Sequence, residues 1–316
     1  MKETILGNHL RKVPSIAVGC MRLSEKSKDE MNHFIHSALE QGAYFFDHAD
    51  IYGGGMSETV FGEAFSGDPS LKREDIFLQS KCGIRQGCYD LSKDHILESV
   101  DGILKRLQTD HIDIYQMHHI ERHAPWAEIW PAFERLANQG KILYTGSCNY
   151  AARHLVTAQY EAKKRNFLGL VSEQNKYNLV NRLPELEVLP AAKELEIAFL
   201  PWSPLHGGYL SGTMMNRHAG SRGAEEFAAH LSEAQKQQLL QYESLCTDIG
   251  ESQADVALAW LLRNPGVTAP IIGPRTDRQL ESALHAAEIK LSDDVLKELD
   301  RIFPGPGGEA PEAYAW

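Results

Sequence analysis

The chain has 316 residues, of which 43% are apolar and 24% charged, the balance of a globular protein with a sizeable core. Its formal net charge of −11 excludes a general nucleic-acid binder, which needs a basic face to neutralise phosphates. Five irregularly spaced cysteines without a CxxC pair, no apolar leader and no bilayer-length apolar run predict a reduced, soluble, cytoplasmic protein.

Strand-like and helix-like segments alternate from the start. Residues 15–18 read as a first strand, followed by a helical pattern over 28–41. A strand at 44–47 precedes a helix at 57–65, with Ser57 as its expected N-cap. The strand at 76–81 leads into 93–107, where Ile96, Val100, Ile103, Leu104 and Leu107 recur at helical spacing. Strands follow at 112–118, 142–147, 169–173 and 197–201, separated by helical patterns at 125–139, 151–165 and 185–196. Helices at 232–247 and 254–263 come before the last strand, 269–273, and the helix 277–287. Eight strands with intervening helices predict parallel pairing and an α/β fold of the (β/α)8 TIM-barrel type. No compositional break divides the chain, so residues 1–316 read as one domain, with 304–316 a Pro/Gly-rich tail.

Catalytic groups in such a barrel gather at the carboxyl ends of the strands. Asp47, Lys81 and His118 end three successive strands, and Tyr52 lies in the loop after the first of them. Strand parity groups Phe45 with Asp47, Phe77 and Gln79 with Lys81, and Ile112, Ile114 and Gln116 with His118, which puts His118 inside the mouth and His119 outside. A carboxylate, an ammonium, a phenol and an imidazole form a proton relay suited to a carbonyl. Asp47 would keep Lys81 charged, and Lys81 would lower the Tyr52 phenol from its ordinary value near ~10. His118 would stabilise charge developing on the carbonyl oxygen.

Any one of these residues alone is more often a surface charge or an ion pair, and their complementarity carries the assignment. The run His118-His119-x-Glu121-x-His123 lacks the helical spacing of a metal site, so no metal is expected. Gly53-Gly54-Gly55 lacks the spacing of a phosphate loop and reads as a turn. Cys82, Cys88 and Cys246 read as small packing residues or idle thiols. In the second half, Ser147-Cys148-Asn149 and Gln174 offer groups suited to a carboxamide, and Trp202 could stack on a flat ring. The loop Ser203-Pro204-Leu205-His206-Gly207-Gly208 could present backbone amides to a diphosphate, and Gly273-Pro274-Arg275-Thr276 precedes a helix as a phosphate site would.

The set resembles the aldo-keto reductase family over nearly the whole chain. Phe46-Asp47-His48-Ala49-Asp50-Ile51-Tyr52-Gly53 is similar to its FDTA-x-x-YG signature, with His48 in place of threonine. Lys81, Tyr115-Gln116-Met117-His118, Gly146-Ser147-Cys148-Asn149-Tyr150, Gln174, Trp202-Ser203-Pro204-Leu205 and Ile272-Gly273-x-Arg275 with Gln279 complete the match. The resemblance implies an NADPH-dependent reductase of a small-molecule aldehyde or ketone, acting without nucleic acid or membrane, as a monomer or weak oligomer. Tyr52 would donate the proton, assisted by Asp47, Lys81 and His118. Cys148, Asn149 and Gln174 would hold the carboxamide, Trp202 would stack on the nicotinamide, and Arg275 would meet the 2′-phosphate. Gln279 and Ser282 would lie near the adenosine, with Gly19, Met21, Leu210 and the Ser203–Gly208 and Gly273 loops completing the cradle. Cys148 stands where the family has serine, and Ser282-Ala283 where it often has Glu-Asn. The stretch through Leu107 is similar to one bacterial branch and that from Thr109 to another, which reads as a recombined or engineered chimera. The competing classes are a nucleotide-binding redox sensor resembling potassium-channel β-subunits and an idle barrel scaffold. Substrate choice is expected from Trp126, Trp130 and the segment 213–227.

Overall fold

The computed structural model describes residues 1–7, 11–212 and 231–315. Eight parallel strands close a barrel in chain order: β1 (Ala17–Gly19), β2 (Phe45–Asp47), β3 (Phe77–Cys82), β4 (Ile112–Met117), β5 (Ile142–Cys148), β6 (Leu170–Lys176), β7 (Ala198–Trp202) and β8 (Ile271–Ile272), which pairs back with β1. This is the (β/α)8 TIM barrel. Helices α1 (Lys28–Glu40), α2 (Met56–Ser66), α3 (Lys93–Leu107), α4 (Trp126–Asn138), α5 (Ala152–Lys164) and α6 (Val188–Glu194) follow β1 to β6 in turn. Helices α7 (Glu233–Ile249) and α8 (Gln253–Leu262) precede β8, and α9 (Asp277–His285) and α10 (Asp293–Ile302) follow it.

Two apolar layers hold the barrel. Ala17, Phe45, Phe77, Ile114, Val171, Ala198, Leu200 and Ile271 fill the interior. Phe46, Leu78, Tyr115 and Met117 point the other way, into the layer beneath the helices. The two-residue alternation of a pleated strand thus sorts Phe45, Phe77 and Ile114 inward as their sequence parity indicates. Ile112 departs from it: paired with Ile142 at the start of the strands, it joins the outer layer. A hairpin of Glu3–Ile5 with Lys12–Pro14 adds Leu6 and Val13 to the interior cluster. The helices fit by amphipathic stripes, most plainly α3, whose buried residues are Ile96, Val100, Ile103, Leu104 and Leu107.

Several local expectations are corrected. Ser57 does not cap α2: the helix begins at Met56 behind Gly55 in a left-handed conformation, and the Ser57 hydroxyl donates instead to the Cys20 carbonyl at 2.8 Å. The helix expected over 185–196 shortens to α6, because Pro184 starts a separate 3-10 turn at Leu183–Glu185. Of the three cysteines read as packed or idle, Cys82 and Cys246 are buried and Cys88 is exposed, on a small hairpin of Ile84–Arg85 with Cys88–Tyr89. The tail folds back on α6, with the Ala310 N–H donating to the Leu186 carbonyl and the Tyr314 hydroxyl to Glu187. Residues 213–230 and Trp316 lie outside the described residues, and with them the expected specificity segment 213–227.

Candidate active site

Register brings the relay together. Asp47 ends β2 opposite Gln79 of β3, and Lys81 lies opposite Gln116 of β4, one residue pair below the strand end that leads to His118. Asp47 is 2% exposed, Lys81 0% and His118 8%, so their mutual contacts replace water. The Lys81 ammonium donates to Asp47 Oδ1 at 2.7 Å, to the His48 carbonyl at 2.7 Å and to the Tyr52 phenol oxygen at 3.1 Å. The same Asp47 oxygen accepts from the side-chain amides of Gln79 at 2.5 Å and Gln174 at 2.8 Å. A buried carboxylate is thereby held by one cation and two amides, the condition under which a buried pair is tolerated. Tyr52 is presented by a 3-10 turn, Tyr52–Gly55, in which Gly53, Gly54 and Gly55 have φ of 60°, 65° and 92°. Those left-handed values explain the glycine triplet as conformation, in keeping with a turn rather than a phosphate loop. The Tyr52 and His118 rings meet edge to face at 6.0 Å.

The electrostatics differ from expectation at one point. Burial is the largest single influence on the Lys81 ammonium and would lower it, but the charge and hydrogen bond of Asp47, together with Tyr52 and Cys148, outweigh it and hold the group above its ordinary value. Burial also pushes the Tyr52 phenol up to about 12; Lys81 pulls it down as expected but only in part, and Asp47 adds to the rise. The phenol is therefore firmly protonated at neutral pH in the free protein, not lowered towards it. Burial and the nearby Lys81 charge lower His118 to about 3, so its imidazole is neutral. Its Nδ1 is buried and has no partner among the described residues.

Around the mouth lies the second group of expected residues. Asn149, in a left-handed conformation with φ 61°, accepts from the Trp202 indole N–H at 3.0 Å and donates to Cys148 Sγ at 3.2 Å. Its amide thus orients Trp202 and meets the thiol that replaces the expected serine. Gln174 keeps its amide on Asp47, which leaves its carbonyl oxygen for another donor. Gly19 is buried where β1 meets β8, and a Cβ there would lie 2.9 Å from both Ile271 and the Ile272 carbonyl. Met21 is 39% exposed on the loop after β1. The loop after β7 runs through Ser203, Pro204, Leu205 and a 3-10 turn at His206–Gly208 to Leu210, with the Ser203 carbonyl fixed by the Asn178 amide at 2.9 Å. After Gly273, the Arg275 backbone N–H donates to Gln279 Oε1 and Thr276 caps α9. Ser282 lies on α9, its hydroxyl donating to Asp255 at 2.7 Å.

Several site residues escaped sequence reasoning. Glu173, fully buried, accepts from Ser147, from the Tyr150 N–H at 2.8 Å and from Asn175 at 3.0 Å, and so braces the Cys148–Tyr150 turn; burial pushes its carboxyl up to about 8. A charged residue inside an apolar strand was its one available signal. Lys176 places its ammonium 6.0 Å from the Trp202 ring. Beneath the Tyr52 turn, Glu58 pairs with Arg106 at 2.8 Å and Ser80 at 2.5 Å, while Asp50 Oδ1 is buried with no partner among the described residues. Burial and the neighbouring Glu58 push Asp50 up to about 7. Of the residues named for substrate choice, Trp130 is fully buried and donates to the Ala158 carbonyl, so it belongs to the core. Among the described residues, no group of three or more His, Cys, Asp or Glu could hold a metal ion, and no helix is long and apolar enough to cross a membrane.

These groups can hold a carbonyl oxygen between a phenol and an imidazole, beside a cradle of amides and an indole. Comparison with known proteins agrees with that chemistry. Residues 15–303 match the model of the aldo/keto reductase family. A Bacillus subtilis protein named "Uncharacterized oxidoreductase YrpG" is 46% identical over 330 aligned positions that cover 100% of both chains. A Saccharomyces cerevisiae putative aryl-alcohol dehydrogenase, AAD16, is 27% identical over 96% of this chain and 97% of its own. A Schizosaccharomyces pombe putative voltage-gated potassium channel subunit beta is 30% identical over 85% of this chain and 83% of its own. The chain belongs to the aldo/keto reductase family.

Proposed function

We propose that this oxidoreductase reduces an aldehyde or ketone to the alcohol with NADPH, using Tyr52 as proton donor. The observation that carries the reading is the Lys81 ammonium held between Asp47 and the Tyr52 phenol oxygen at 2.7 and 3.1 Å. NADPH supplies the hydride. Lys81 donates to the Tyr52 oxygen, which leaves the phenol proton free to point at a substrate oxygen. As the carbonyl gains charge, that proton moves to it from Tyr52, and the adjacent ammonium stabilises the phenolate left behind. The phenol's high value in the free protein keeps the proton in place until then. His118, neutral, donates a second hydrogen bond to the same oxygen.

The residues around the mouth fit the nucleotide. Gln174 and Cys148 border the carboxamide position, Asn149 holds the Trp202 indole ready to stack on the ring, and Gly19 with Met21 borders the mouth after β1. The loop through Ser203, Pro204, Leu205, Gly207, Gly208 and Leu210 borders the diphosphate. Arg275, with Gly273, Gln279 and Ser282 nearby, takes the adenosine end, and Arg275 selects the 2′-phosphate. The reading includes one domain, a monomer or weak oligomer, and a cytoplasmic setting. The channel-subunit relative belongs to the same family, and the intact relay favours turnover over sensing in this chain. A panel of aldehydes, ketones and sugars, followed by NADPH oxidation, tests the proposal. Steady turnover of at least one carbonyl supports it, and nucleotide binding without turnover across the panel overturns it.

A further inference from the structure

A crevice of about 360 Å³ opens between the loop after β4 and the first turns of α5. It is lined by Ile120, Arg122, Trp126, Arg153 and His154 among others, and by none of the relay residues. Arg122 and Arg153 come from different segments, and neither guanidinium has an ion-pair partner among the described residues. The His154 imidazole responds to both: burial first, then the charges of Arg153 and Arg122, lower its affinity for a proton. Arg122, Arg153 and His154 all line the same crevice, which gathers positive charge at its wall. The Ala151 N–H approaches His154 Nδ1 at 3.4 Å, which makes Nδ1 the acceptor and leaves an N–H on Nε2 as a donor. The one carboxylate in the lining, Glu121, is engaged by the Leu91 N–H at 2.5 Å. The wall is flat and apolar: Trp126 is half-buried, stacked on Trp130 at 5.2 Å, with Ile120 and Ala124 beside it.

We propose that this crevice binds a small organic phosphate monoester with a flat apolar group, outside the nicotinamide cleft. Two guanidiniums and an imidazole N–H offer donors from three residues, which suits the three oxygens of a phosphate better than the two of a carboxylate. Trp126 takes the flat group. The site adjoins the reaction centre through the chain, because Ile120 follows His118 and His119 directly and Arg122 lies two residues further on. An occupant would therefore touch the loop that carries the catalytic imidazole. The inference does not depend on which carbonyl the enzyme reduces.

The test is calorimetric titration of the full-length protein with phenyl phosphate, with and without saturating NADPH. Saturable one-site binding is expected in both conditions. Arg122→Gln with Arg153→Gln should weaken it at least ~10-fold, about the loss for removing charge-assisted contacts, and leave NADPH affinity unchanged. Benzoate and inorganic phosphate should each bind more weakly than phenyl phosphate. No saturable binding, undiminished binding in the double variant, displacement by NADPH, or equal binding of benzoate would each overturn the proposal.

Discussion

Asp50 offers a prediction that can be worked through in numbers. It lies in the turn that carries Tyr52, its backbone N–H donating to the Lys81 carbonyl at 3.1 Å, and one of its oxygens is buried with no partner among the described residues. Glu58 already occupies Arg106, so a charge on Asp50 lacks a counter-ion of its own. Burial and Glu58 raise its carboxyl from 3.8 to about 7. A raised carboxyl keeps its proton in the native state after the unfolded chain has lost it. Stability is therefore lost as pH rises from about 4 to about 7 and stays level above that. A gap of about three units corresponds to ~4 kcal/mol at most, of which ~2–3 develops between about pH 5 and about pH 8. Solvent reaching this half-buried group screens part of it, leaving ~1–2 kcal/mol. Asp50→Asn removes the titration and keeps the shape. Urea unfolding of both proteins at the two pH values gives the comparison: the wild type should lose that much more stability on going to the higher pH. Parallel pH dependence of the two would refute the assignment of this buried proton.

Three further outcomes follow from the site. Lys81→Met leaves the Asp47 carboxylate buried without its cation, and should cost ~3–5 kcal/mol in urea unfolding as well as nearly all turnover; a variant as stable as the wild type contradicts the buried pair. Arg275→Ala should weaken NADPH ~10–100-fold and NADH far less, read by fluorescence titration, and equal weakening of both would sink the 2′-phosphate assignment. Cys148→Ser replaces a weak sulfur partner by a hydroxyl and should tighten NADPH binding a few-fold, whereas looser binding would show that the thiol is placed for packing.

The barrel was legible because its signal is redundant. Each strand pairs an apolar run with a helix stripe such as that of α3, and one misjudged boundary leaves the count intact. Relay parity was legible for the same reason: Phe45, Phe77 and Ile114 fix which way Asp47, Lys81 and His118 point. The proposed change of branch near Leu107 falls at the turn between α3 and β4, and the β3–β4 pairing is continuous around it. What depends on burial was not legible. The rise of the Tyr52 phenol comes from loss of water, which no local pattern reports, and it outweighs the Lys81 charge. Ser57 matched an N-cap pattern, but the close approach of the Cys20 carbonyl, just past the neighbouring strand β1, took its hydroxyl. Glu173 and Asp50 are polar residues whose neighbours arrive from other strands and helices, and only the closed barrel brings those neighbours together.

The proposed role of Tyr52 is to deliver the proton from a site already assembled around Lys81. Tyr52→Phe removes one oxygen and leaves the Asp47–Lys81 pair in place. Pre-steady-state mixing of the variant with NADPH and a carbonyl that the wild type reduces should show a reduction step slower by ~10²–10⁴-fold, with NADPH affinity unchanged within about twofold. A reduction step as fast as that of the wild type would contradict the account.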